Sequence, residues 1–184
     1  MTTYLFLERR FEPALMPADV MAMAVNAAGC FGLHRVNWHY SLLSTDGHRM
    51  VCSFSAPDAE SARIAMRQSS IDSTNLWRGH ICDAPHVNAQ DVLQANVLVE
   101  RSFEQRVSLQ EIQDIEDAGL GCLQSRRVRF IRTFFAADQK RMLCLYAAPD
   151  TESVREAQRQ AGVPFADAWP FRLLGPTEPV NVSY

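Results

Sequence analysis

HRMVCSFSAPDAESARIAMRQ (His48–Gln68) and KRMLCLYAAPDTESVREAQRQ (Lys140–Gln160) are two copies of one phrase, 92 residues apart. Extended outward at the same offset, residues 4–80 align on residues 96–172 without a gap, and 22 of the 77 pairs are identical. The identities include Glu8/Glu100, Arg9/Arg101, Gly29/Gly121, Cys30/Cys122, Arg35/Arg127, Cys52/Cys144 and Trp77/Trp169. So long a period in only two copies indicates a duplicated domain, not a solenoid.

Each copy repeats one order of elements. YLFLERRF and NVLVERSF are apolar runs bounded by turn residues, and they predict strands. A helix follows. In the second copy Ser108 and Glu111 have the spacing of a capping box. In the first copy Pro17 stands at the first helical position and Asp19 matches Glu111. Val20, Met23 and Ala27, matched by Ile112, Ile115 and Gly119, recur at helical spacing and predict one buried face. HRVNWHYSLL and RRVRFIRTFF predict the second strand, RMVCSFS and RMLCLYA the third. Asp58 and Asp150 then N-cap a second helix whose inner stripe includes Ala62 and Ala65, or Val154 and Ala157. A last short strand follows Trp77 and Trp169.

The predicted class is α+β, with two ferredoxin-like β-α-β-β-α-β repeats forming a pseudo-dimeric α/β barrel. The repeats span residues 1–82 and 96–175. Residues 83–95 form a linker, with a short helix from Asn88, and residues 176–184 an extended arm.

At these residues the chain resembles the small nickel-responsive, nickel-binding bacterial proteins, a ferredoxin-like family otherwise of unknown function. LVERSF, KRMLCLYAAPDTESVREAQRQAG and VPFADAWPFRLLGP carry the resemblance, with weaker copies in the first half. The resemblance implies nickel as the bound metal; the residues themselves leave the cofactor unknown. It also implies a histidine after the aromatic residue of strand two, and another in the second helix. Those positions hold Tyr40 and Arg132, and Ala65 and Ala157. Arginine and alanine do not coordinate nickel.

Composition narrows the function. The 184 residues are 47% hydrophobic and 21% charged, with a net charge of −3 and no basic patch, which argues against a nucleic-acid partner. The apolar stretches are too short to span a bilayer, and MTTYLFLERR places charges straight after a brief apolar run, unlike a signal peptide. A cytoplasmic location is expected, as a monomer built as a pseudo-dimer or as a homodimer. The five cysteines form no Cys-x-x-Cys, so reduced, mostly buried thiols are expected.

Glu8 and Glu100 are the first candidate catalytic groups. Strand alternation puts them on the face opposite Leu5 and Leu7, or Val97 and Val99. If that first face packs on helices, both carboxylates point between the two sheets and can act as bases or ligands. Tyr40 and His39 complete the catalytic set. Trp38 is read as sharing a strand face with Tyr40, and Phe130 with Arg132. Trp38, Phe130 and Arg132 form the ligand-binding set, Arg132 as a clamp for a carboxylate or phosphate. His34 and His39 are placed on one strand, facing opposite sides. The residues point to a protein holding a metal ion or a small organic molecule between its halves. One alternative is a small cofactor-free or metal-assisted enzyme, of isomerase or monooxygenase type. Another is a structural or regulatory module.

Overall fold

A computed structural model describes residues 2–176. The arm expected at the C-terminus lies, from residue 177 on, outside the described residues. Along the first half run β1 (Thr3–Arg10), α1 (Pro17–Leu33), β2 (Asn37–Ser44), β3 (Arg49–Ala56), α2 (Ala59–Gln68) and β4 (Leu76–Asp83). The short α3 (Ala89–Leu93) follows, capped by Asn88. The second half carries β5 (Val97–Ser102), α4 (Leu109–Ser125), β6 (Arg129–Ala136), β7 (Arg141–Ala147), α5 (Thr151–Gln160) and β8 (Asp167–Leu174). The last strand of each half is eight residues long and contains its tryptophan, where a shorter strand after Trp77 or Trp169 was expected.

The helix starts follow from local chemistry. The Asp58 and Asp150 carboxylates accept the backbone N–H of Ser61 and Ser153, each at 2.7 Å. These hydrogen bonds hold both carboxyls below their ordinary value. Ser108 and Glu111 make the reciprocal capping box, with the Ser108 N–H 2.6 Å from the Glu111 carboxylate.

The chain divides into two compact units. In the first, β1 and β2 flank β3, both antiparallel. Leu5, Leu7, Cys52 and Phe54 form one core with Val20, Ala27 and Phe31 of α1 and Ala62, Ala65 and Met66 of α2. Burying a leucine this fully contributes about 1.5–3 kcal/mol. The second unit holds the order β8-β5-β7-β6-β4, with antiparallel pairings throughout. Its core repeats the pattern with Val97, Val99, Cys144, Tyr146, Val154 and Ala157.

The backbone repeats even at two pairs whose side chains differ. Three matched pairs share a left-handed conformation: Arg35 and Arg127 (φ 55° and 56°), Gly47 and Gln139 (78° and 62°), Ser70 and Gly162 (56° and 68°).

A bulge in each second strand corrects two sequence expectations. Trp38 opposes Phe54 and Tyr40 opposes Ser53, so His39 is the extra residue. Phe130 opposes Tyr146 and Arg132 opposes Leu145, leaving Ile131 as its counterpart. One inserted residue reverses the alternation beyond it. Trp38 therefore packs against the helix-side core, while Tyr40 lies on the other face, in line with Ser53 and Phe6. Phe130 and Arg132 separate in the same way. His34 is also not on a strand: it is the residue that ends α1.

Candidate functional site

Arg9 follows Leu5 and Leu7 by strand alternation, so its side chain leaves β1 on the helix side. There it meets a cavity of about 40 Å3 between α1 and the sheet, lined also by Val20, Met23, Trp38, Ser41 and Cys52. That is room for a few non-hydrogen atoms. The Arg9 guanidinium lies 4.7 Å from the Phe11 ring centre, and its Nη1 is 3.8 Å from Met23 Sδ. The Trp38 indole N–H donates to Ser41 Oγ at 3.0 Å, and the Ser41 hydroxyl donates to Cys52 Sγ at 2.9 Å. Burial pushes the Cys52 thiol up to about 11, against the opposing Ser41 hydrogen bond and Arg9 charge. Cys52 therefore stays a thiol at neutral pH.

The second half has the same cleft in a smaller form, about 20 Å3, lined by Arg101, Ile112, Ile115, Glu116, Met142 and Val163. Each of these residues stands 92 positions after a first-half counterpart, but the contents differ. Arg101, only 4% exposed, donates to Pro164 O at 2.7 Å, Gln158 Oε1 at 2.8 Å and the Tyr146 hydroxyl at 3.3 Å. The Tyr146 hydroxyl in turn donates to Glu116 Oε1 at 3.2 Å. Burial raises the Glu116 carboxyl above its ordinary value, with the Arg101 charge opposing the rise. The first-half counterparts of Glu116, Tyr146 and Gln158 are Ala24, Phe54 and Met66. The first half has the same arginine without these three side chains of the polar network.

The residues singled out from sequence fall in several places. Trp38 lines the first cleft. Glu8 is half-buried on the opposite sheet face, in register with Val51 and Leu42, and Tyr40 shares that face. The His39 ring lies 6.1 Å from that of Tyr4. Glu100 accepts the Trp169 indole N–H at 2.7 Å. Phe130 packs on Tyr146 at 5.6 Å between ring centres. Arg132 is paired with both oxygens of Asp83, at 2.5 and 2.8 Å. In the sequence Arg9 and Arg101 are one identity among 22. The usable signal was the contrast between that conserved pair and the mismatches Ala24/Glu116, Phe54/Tyr146 and Met66/Gln158.

This second-half geometry lies within the segment that carries a family signature. Residues 98–170 match the model of the nickel responsive SCO4226-like proteins. The match falls on the resemblance read from LVERSF and KRMLCLYAAPD. No curated protein matches the chain. Two variants of chlorite dismutase from Candidatus Nitrospira defluvii share its fold. One superposes with a TM-score of 0.53 at 8% identity, over 95% of this chain and 92% of that one. The other gives 0.52 at 9% identity, over 95% and 91%. At such identity the likeness is one of fold alone.

The residues present do not fit a nickel ion. At the positions where the resemblance implies histidine, Arg132 is a cation paired with Asp83, and Ala65 and Ala157 are buried methyl groups. Among the described residues no three His, Cys, Asp or Glu side chains are grouped so as to hold a metal. Nor is any described helix long and apolar enough to cross a membrane.

Proposed function

We propose that this chain, built as two ferredoxin-like repeats, is a binding protein for a small organic molecule, received in the cleft beneath α1 of the first half. The observation that carries this reading is the contrast between matched clefts. The second is narrowed to about 20 Å3 by its own polar network around Arg101, while the first has Arg9 and about 40 Å3 where that network is missing. Duplication frees one copy to retain the scaffold while the other loses its internal filling. An apolar wall with a few convergent polar groups is the usual make-up of a small-molecule site. Here Val20, Met23 and Trp38 supply the wall, and Arg9 and Ser41 the polar groups.

Native mass spectrometry of untagged protein, with elemental analysis of the same sample, tests this reading. The expected result is a chain without stoichiometric nickel that carries a small organic adduct. The adduct should be lost when Ala24→Trp fills the cleft. Stoichiometric nickel, or an adduct unaffected by Ala24→Trp in folded protein, would contradict it.

A further inference from the structure

The difference between the two clefts specifies the chemistry of the ligand. Glutamate exceeds alanine by one methylene and one carboxylate, the atoms of an acetate group. Glu116 places those atoms in the second-half cleft, close enough for its charge to interact with Arg101. At the matching position Ala24 lines the first-half cavity. The arginine of β1 and β5 is identical in the two halves, while a carboxylate inside the cleft, joined to the arginine through the Tyr146 hydroxyl, is present only in the second.

Resting on the proposed binding role, we propose that the first-half cleft binds a short-chain carboxylate of two to four carbons. The ligand's carboxylate takes the place of the Glu116 carboxylate and faces Arg9. Its methylenes lie against Val20, Met23 and Phe54.

Three features support this assignment. A guanidinium offers a planar fork of donors that matches a carboxylate. The cavity of about 40 Å3 takes an acetate-sized group, the difference between Ala24 and Glu116, at its carboxylate end. The replacement of Tyr146 by Phe54 and of Gln158 by Met66 removes the hydroxyl and amide that compete for the matching arginine in the second half. The exposed Asp72 carboxylate also interacts with the Arg9 charge. It is held at the surface by the Thr74 N–H (3.0 Å) and hydroxyl (2.6 Å), so it competes from outside the cleft without filling it.

The test is titration of the full chain with sodium butyrate, followed by calorimetry and thermal unfolding. Sodium chloride at equal ionic strength and 1-butanol are the comparisons. The expected result is saturable butyrate binding at one site, weakened at least tenfold in Arg9→Met and abolished in Ala24→Glu, which restores the internal carboxylate. If Arg9→Met does not fold, Ala24→Glu alone decides. Binding of butyrate that survives Ala24→Glu in folded protein overturns the proposal. Binding of butanol in place of butyrate also overturns it, but leaves the cleft standing as a small-molecule site. If neither probe binds and neither shifts unfolding more than chloride, the carboxylate assignment fails and the cleft loses its support with it.

Discussion

Replacing Arg101 with methionine lowers the stability of the protein by about 3–5 kcal/mol, whereas the matched change Arg9→Met costs less than about 1 kcal/mol. The side chains are identical and so are their places on β5 and β1; their surroundings are not. Arg101 is buried and holds the oxygens of Pro164, Gln158 and Tyr146. Removing it orphans those acceptors and leaves the Glu116 carboxylate in the cleft without its compensating charge. Removing one partner of a buried charged network is costly because the other partner stays buried. Arg9 gives up a thioether contact, a stacked ring and a solvent-screened attraction to the exposed Asp72 carboxylate. Urea unfolding followed by circular dichroism measures both values. The double change Arg101→Met with Glu116→Ala should recover more than about 1 kcal/mol of the loss, since it removes the stranded carboxylate as well. A loss no greater for Arg101→Met than for Arg9→Met would show that the network carries no weight.

Gly47→Ala lowers stability by about 2–4 kcal/mol, while Gln139→Gly at the matched position changes it by less than about 1 kcal/mol. Both residues turn the chain between strands two and three with a positive φ. Both carbonyls accept a backbone N–H, from Leu15 at 2.9 Å and from Val107 at 3.0 Å. At Gly47, however, an added Cβ would lie 2.4 Å from the Leu15 carbonyl oxygen and 3.1 Å from the Ala14 Cβ. The first of these is backbone and cannot swing away. Position 139 already carries a side chain in the same conformation, so glycine there relieves strain and adds unfolded-state entropy in comparable amounts. Thermal unfolding of the two variants compares them; equal effects would show that the close approach at Leu15 is not a constraint.

Much of the local fold is legible in the sequence because it rests on local chemistry. The capping residues Asp58, Asp150 and Ser108, the proline opening α1, and the alternation of Leu5 and Leu7 are each decided within a few residues. The repeat doubles every such signal. The site was less legible. The bulge at His39 depends on pairing with β3, and no nearby residue announces it. Strict alternation therefore put Trp38 and Tyr40 on one face, as it did Phe130 and Arg132. The same alternation, applied one residue beyond Glu8, places Arg9 on the helix side. Each arginine stands between polar neighbours, Glu8 and Arg10 or Glu100 and Ser102, and a strand carboxylate signals chemistry more readily than one charge in such a run. That Arg101 is buried on a tyrosine and a glutamine could not be read from a single position. It emerges only when α4, α5 and β7 are seen to converge on one point of β5.

The first-half cleft is expected to admit a small molecule, and its second-half counterpart, narrowed by its own side chains, to exclude it. Methionine methyl NMR reads both clefts in one spectrum, because Met23 and Met50 line the first and Met142 lines the second. With butyrate or butanol as probe, the Met23 and Met50 methyl signals should move in a saturable way while Met142 stays fixed. Equal movement of Met142, or no movement of Met23 and Met50 with either probe, would contradict the account.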